Sequence, residues 1–346
     1  MILFKIVAIL LSALAKNYTI DSQTVVMFWN VENFFDWRAD STSRSEVEFS
    51  AEGLKKWTKK RFYTKCGAIA KTIMAAADVY GEIPDVVGLA EVENRFVLNQ
   101  LVRATPLTIF DYAVVHYDSP DRRGIDCALL YRRDRWRCIE SRACHIFFAG
   151  AEKPLTSATA TRGSAQKTAS GASPPPAQIM KTRDILLAIL EPVDEGGQGE
   201  PMAVLVNHHP SKVGGGSGDR REMAMQRLIQ IRDSLLDAGV GRIIAVGDFN
   251  DAVDSAQGVC EKGPFYGRTG PLSPAGTIKF QGRWEKIDGC PVLEGLTAQE
   301  YIFDSPYLTE LDRSYSGTKP RRTYSGPRFL GGVSDHYPVV YMLKED

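Results

Sequence analysis

A chain of 346 residues that is 44% hydrophobic and 10% aromatic holds enough apolar material for a substantial core, which excludes a disordered chain. Lys plus Arg and Asp plus Glu each number 42, so the formal net charge is zero. That balance argues against a surface that attracts nucleic acid everywhere, while a local basic groove stays open.

In chain order, Lys5 precedes the apolar run Ile6 to Leu11, and Ala13-Leu14-Ala15 has the small-x-small form of a signal-peptidase site. Residues 1–15 therefore read as an export signal, against a buried first strand or an uncleaved anchor. The run is short for a bilayer span of about 20 residues, and no later segment reaches that length. Val25 to Trp29 is a continuous run of β-formers and reads as a buried strand. Similar runs recur at 85–89, 127–131, 185–190, 202–206, 243–246 and 339–342, with helical patterns over 65–77 and 221–236. Strands outnumber helices and polar residues cluster just beyond strand ends, so the expectation is a sheet-rich α/β sandwich with its site on loops. Residues 150–178 are Ala, Ser, Thr, Gly and Pro almost throughout from Thr156 onward. They read as a surface insertion within one domain over 24–346, since the residues of one site fall on both sides; the alternative is a linker between two domains.

The chemistry gathers at those strand ends. Asn30 and Glu32 follow the first strand and face one way if the chain stays extended. Glu91 ends the second strong strand, where a carboxylate suits a hard cation such as Mg²⁺. Asn207-His208-His209 follows a third; neighbouring histidines cannot both face one site from an extended chain, and HExxH is absent, so a metal site would rest on oxygen ligands. Gly247-Asp248-Phe249-Asn250 presents an acid–amide pair able to handle an attacking water and a phosphate oxygen. Ser334-Asp335-His336 precedes the last strand. Each piece alone is weak.

Together, Trp29-Asn30-Val31-Glu32-Asn33, Leu89-Ala90-Glu91-Val92, Arg123-Gly124-Ile125-Asp126 to Tyr131, Val206-Asn207-His208, Gly247 to Asp251, Trp284 to Asp288 and Ser334-Asp335-His336 resemble the endonuclease/exonuclease/phosphatase superfamily, also called deoxyribonuclease-I-like. The match spans roughly residues 25–343. Thr182 to Leu186, Gly276 to Gly282 and Gly326 to Gly332 point within it to a bacterial exported subgroup. The resemblance implies a four-layer sandwich of two packed mixed β-sheets flanked by helices. It implies Mg²⁺ (or Mn²⁺ or Ca²⁺) held by Glu91 with Asn30 and Asp335, Glu32 being a lesser contributor. It implies catalysis by Asp248, Asn250, His208 and His336, the last oriented by Asp288, with Asn207 and Arg123 toward substrate.

Several segments keep a second reading. Gly214 to Gly218 lacks the Gly-Lys-Ser/Thr ending of a phosphate loop and reads as a mobile loop. Lys319, Arg321, Arg322 and Arg328 either touch a polyanion or are solvated. Trp57, Phe62 and Tyr63 interleave with Lys55, Lys56, Lys59, Lys60 and Arg61, which suits either nucleic acid or a helix covering the core. Six cysteines could pair in an exported chain, with no CxxC among them. The first expectation for function is an exported nuclease. The alternatives are a phosphatase or phospholipid-headgroup phosphodiesterase acting on inositol phosphate or sphingomyelin, and an inactive surface-binding protein on the same scaffold.

Overall fold

The computed structural model describes residues 23–38, 44–148, 178–193, 199–212, 217–261 and 276–344. The expected export signal, and almost all of the expected insertion, lie outside the described residues, as does most of the Gly214 to Gly218 loop.

Twelve strands build two sheets: β1 (Thr24–Phe34), β2 (Val86–Val92), β3 (Tyr112–His116), β4 (Asp126–Arg132), β5 (Trp136–Cys144), β6 (Ile185–Pro192), β7 (Met202–His208), β8 (Arg242–Asp248), β9 (Val259–Glu261), β10 (Asp288–Glu294), β11 (Thr297–Ile302) and β12 (Val339–Lys344). One sheet runs β3-β4-β2-β1-β12-β11-β9 and the other β10-β8-β7-β6-β5. Each is mixed, because β1 pairs β2, and β7 pairs β8, in parallel within otherwise largely antiparallel sheets.

The period-2 alternation of side chains explains why the central strands read as continuous apolar runs: both faces are covered. On β1, Val26 and Phe28 point between the sheets, while Val25, Met27 and Trp29 point outward beneath helices. On β8, Ile244 and Val246 point inward, and Ile243 and Ala245 outward. The sheets approach closely at Gly88, where a Cβ would lie 3.2 Å from Val206 of the other sheet and 3.3 Å from Phe28. Burying each large side chain in these layers contributes roughly 1.5–3 kcal/mol relative to exposure.

Among the described residues, three main helices close the outer faces. Helix α1 (Lys59–Tyr80) starts at Thr58, whose hydroxyl accepts from the Arg61 N–H, and ends at Gly81, whose φ of 85° is the left-handed cap glycine tolerates. It and α2 (Arg95–Arg103) cover the seven-stranded sheet. Helix α3 (Ser217–Asp237) lays Ala224, Leu228, Ile231 and Leu235, spaced three and four apart, on the other sheet. The result is the expected four-layer α/β sandwich.

The basic–aromatic segment resolves toward the covering-helix reading. Trp57 and Phe62 are fully buried, Phe62 stacks on Phe34 at 5.6 Å, and the Trp57 indole donates to the Phe35 carbonyl at 2.8 Å. Cys66, Cys127, Cys138, Cys144 and Cys290 are free thiols among the described residues. No helix there is long and apolar enough to cross a membrane.

Candidate functional site

The parallel pairs β1–β2 and β7–β8 deliver their C-terminal ends to one edge of the sandwich. The backbone turns sharply there: Glu32, Asn33, Glu91 and Asn250 all have positive φ, between 49° and 63°. For non-glycine residues this left-handed region costs of order 1–3 kcal/mol each and persists only where surrounding contacts impose it. The extended conformation that would put Asn30 and Glu32 on one side therefore ends at Glu32. Instead, the Glu32 N–H donates to Asn30 Oδ1 at 3.0 Å and the β1–β2 register shifts after Asn30. The Asn33 N–H, freed from the ladder, donates to Glu91 Oε2 at 2.8 Å.

One half of the site presents carboxylate and amide oxygens. Glu91 is buried, which by itself raises its pKa, but Arg123, the Asn33 N–H and His336 together hold the carboxyl below its ordinary range. Arg123 donates to Glu91 Oε1 at 3.2 Å and to Asn33 Oδ1 at 3.0 Å. Asn30 uses its amide to hold Asp248 Oδ2 at 2.9 Å. Asp335 is partly exposed and ion-paired to Arg322 at 3.0 Å. That guanidinium also grips Glu32 Oε1 at 3.0 Å, while the Thr323 N–H donates to Glu32 Oε2 at 2.7 Å. The buried Lys65 ammonium donates to the Glu32 carbonyl and, at 2.8 Å, to Thr323 Oγ1. Burial and Asp335 push the Glu32 carboxyl up to about 7 against the pull of Lys65 and Arg322, and burial lowers Lys65 to about 8.

The other half is built on imidazoles. His336 Nδ1 lies 2.8 Å from Asp288 Oδ2, which also accepts from Thr277 Oγ1 at 2.5 Å. Burial opposes the charge on His336, yet Asp288, Asp248 and Asp335 raise its pKa well above the usual value. Its Nε2 stands 3.9 Å from Asp248 Oδ2 and 4.0 Å from Asp335 Oδ1. His208 Nε2 approaches the same Asp248 oxygen at 3.7 Å. There the pKa falls well below normal, through burial and then Arg183 and Arg123, so this imidazole stays neutral. Asp248 is pushed up to about 7 by burial and Asp288. Asn250 donates its N–H to Asp248 Oδ1 and its side-chain amide to the His209 carbonyl, each at 3.0 Å. His209 turns away and packs edge-on against Phe249 at 4.8 Å, as expected of a neighbouring histidine.

Asp248, Asp288 and His336 thus form one tight buried group, with Asn30, His208 and Asn250 bonded or close to Asp248. Arg322 and Lys65 bring Glu32 and Asp335 together, and Arg123 covers Glu91. Asn207 is fully buried, and its amide donates to the Leu205 and Val246 carbonyls at 3.1 and 3.3 Å. The atom it keeps free is Oδ1, which has no protein partner, like His208 Nδ1 and Asp288 Oδ1. Polar atoms buried without partners are what a site built for an ionic ligand leaves behind. The Glu91, Asn30 and Asp335 donors are all oxygen, which fits Mg²⁺ and not a thiophilic ion. A second group at ligand spacing, His116, Asp118 and Asp126, lies on the β3–β4 loop, where Asp126 already accepts from Ser119 and contacts His116 at 3.1 Å.

Three functional contributors escaped the sequence reading. Lys65 sits three residues after Phe62 and four before Ile69 on the buried stripe of α1, and a lysine on an apolar stripe is the signal that could have found it. Arg183 donates to the His208 carbonyl at 3.1 Å, to the His209 carbonyl and to Asp121 at 3.2 Å, pinning the loop that carries Arg123. Thr277, which donates to Asp288, lies in the Gly276 to Gly282 segment that the resemblance picked out without giving it a role.

A profile of the Endonuclease/Exonuclease/phosphatase family matches residues 25–162 and 165–345. Curated proteins give no significant match. Among solved structures, an endonuclease/exonuclease/phosphatase family protein from Bacteroides thetaiotaomicron superposes with a TM-score of 0.53 at 16% identity, covering 94% of this chain and 98% of that one. A mannosyl-6-phosphatase from the same species gives 0.52 at 14% identity, covering 93% and 99%. A conserved protein of unknown function from Enterococcus faecalis gives 0.51 at 16% identity, covering 93% and 100%. These likenesses concern the fold.

Proposed function

The chain belongs to the endonuclease/exonuclease/phosphatase family, and from that premise we propose that it is an exported, Mg²⁺-dependent phosphodiesterase whose substrate is nucleic acid. The observation that carries the reading is the meeting of Asp248 with Asn30, His208, Asn250 and the Asp288–His336 pair at one strand-end edge. The leader-like residues 1–15 support export, and the oxygen donors support Mg²⁺, with Mn²⁺ or Ca²⁺ as substitutes.

Glu91, Asn30 and Asp335 would hold the ion, which supplies charge neutralisation at a phosphoryl oxygen. Asp248, with a proton affinity near neutrality, accepts the proton of an attacking water that Asn30 and Asn250 help to position. His336, charged and braced by Asp288, stabilises the phosphoryl group. Neutral His208 shares Asp248 and meets the negative charge that develops as the water adds. Asn250 spends one amide hydrogen on the His209 carbonyl and keeps the other for a phosphate oxygen. Arg123, half exposed on Glu91, is the movable cation that meets the substrate phosphate, beside Asn207.

One observation favours a second reading, a phospholipid-headgroup phosphodiesterase. Phe280, Leu311 and Tyr315 are 61%, 73% and 53% exposed, and the hairpin carrying Phe280 joins His336 through an Ile278 bridge. An apolar rim beside the site is what a lipid surface would engage. Hydrolysis of plasmid DNA, RNA, inositol phosphates and sphingomyelin, with Mg²⁺ and with EDTA, separates the readings. Metal-dependent cleavage of nucleic acid supports the nuclease; cleavage of another phosphoester alone replaces the substrate; silence throughout rejects the enzyme.

A further inference from the structure

Two basic segments, far apart along the chain, lie against one another beside the site. Residues 53–77 and 313–334 contain no acid. The Lys55 ammonium donates to the Gly326 carbonyl at 2.8 Å and the Tyr324 hydroxyl to the Lys55 carbonyl at 2.9 Å. The Arg61 guanidinium lies over the Phe329 ring, 4.4 Å from its centroid. This joint reaches the site through Arg322, which is bound to Asp335 next to His336.

Lys55 and Lys319 are matched by acids, Glu48 at 3.3 Å and Glu310 at 3.6 Å. Lys56, Lys59, Lys60, Arg321 and Arg328 are exposed, and none of them is ion-paired among the described residues. Their contacts are to the Glu52 carbonyl from Lys56, to the Leu330 carbonyl from Arg321 and to the Trp37 ring from Lys59. Glu52, itself exposed, offsets one of the five charges. Lys59, Lys60 and Arg61 fill the first turn of α1 with no acid among them, where the helix dipole favours anions. Folding gains nothing from that arrangement. In a chain of zero net charge it is a local excess whose counter-anion comes from outside.

We propose that Lys56, Lys59, Lys60, Arg321 and Arg328 form a phosphate track for a nucleic-acid strand, holding the phosphates that flank the one seated at Asp335 and His336. This deepens the nuclease reading above and rests on it. A strand fits better than a lipid surface because the track leads out of the site, as a polymer does when one of its phosphates is seated there.

The test is the affinity of the full chain for a labelled single-stranded oligonucleotide that overruns the site, read by fluorescence anisotropy across a KCl series in EDTA, so that nothing is cut. Each phosphate neutralised on a single strand contributes roughly 0.7 to the slope of log affinity against log salt, so five give a slope of about −3.5. Lys59→Gln with Lys60→Gln should reduce it to about −2, and Arg328→Gln, from the other segment, to about −2.8. Lys59→Arg with Lys60→Arg should keep the wild-type slope. The thermal midpoint of the glutamine pair should not fall, since the charges it removes oppose the helix dipole. Slopes equal to wild type in both glutamine variants overturn the track and leave the nuclease reading standing. Binding to phosphatidylserine vesicles without binding to the oligonucleotide overturns it in favour of a lipid surface. Binding to neither overturns it as well, and Mg²⁺-dependent cleavage of nucleic acid, measured separately, decides the nuclease reading.

Discussion

The β1–β2 and β7–β8 pairs are built alike and end differently. Both are parallel pairs at the centre of a mixed sheet, buried on two faces, with catalytic-type residues at their C-terminal ends. The first pair ends in left-handed turns that aim Glu32, Asn33 and Glu91 across one another, and it presents oxygen. The second stays regular through His208 and Asp248, and it presents imidazole and a carboxyl of raised pKa. Asn30, on the first pair, holds Asp248 on the second, so it is the splice between them. On the function proposed above, one half of the site manages fixed charge while the other manages protons, and each half can be damaged alone.

The largest effect should come from the proton side. His336→Ala should lower kcat about a thousandfold, within the usual span for a lost acid–base group, while leaving the circular dichroism spectrum and the Mn²⁺ stoichiometry unchanged. Near-normal turnover would dissolve the division of labour. On the charge side, Glu91→Gln should raise the Mg²⁺ needed for half-maximal activity roughly a hundredfold, leaving the pH profile at saturating metal in place. An unmoved metal titration would put the ligand elsewhere. The smallest effect sharpens the contrast through stability. His209, buried behind the second pair, has its pKa lowered to about 3 by burial, Arg183 and Arg221. Below its ordinary value of 6.5 the unfolded chain takes up a proton that the native chain refuses until about pH 3, so stability falls as pH falls across that window. The slope is at most about 1.4 kcal/mol per pH unit. Urea midpoints between about pH 6 and pH 4 should therefore decline more steeply for wild type than for His209→Gln; parallel declines would show that His209 is protonated in the native state.

Much of this was legible in the sequence because the central strands are buried on both faces, and so advertise themselves as unbroken apolar runs ending in polar residues. Seven such runs, from Val25 to Met342, all became strands. The strands over 136–144 and 297–302 did not announce themselves, since buried apolar positions alternate there with polar or half-buried ones. In the site, residues that sit in a strand-end motif could be named in advance. Residues defined by what they touch could not: Arg322 lies 290 positions from Glu32, and Lys65 hides in a helix that reads as basic and amphipathic. The left-handed turn at Glu32 was equally invisible, because no glycine marks it.

Strands β1 and β12 are hydrogen-bonded neighbours, and the last motif is tied to the first: the Trp29 indole donates to the His336 carbonyl at 2.9 Å and Ser334 Oγ to the Asn30 carbonyl at 2.6 Å. A contact between residues so far apart carries a large loop-closure cost and can form only once the last strand has been made. During synthesis, therefore, every earlier residue can leave the ribosome and collapse without producing a working active site. On the role proposed for His336, no activity can appear before the segment carrying His336 and β12 docks beside the strand that was made first.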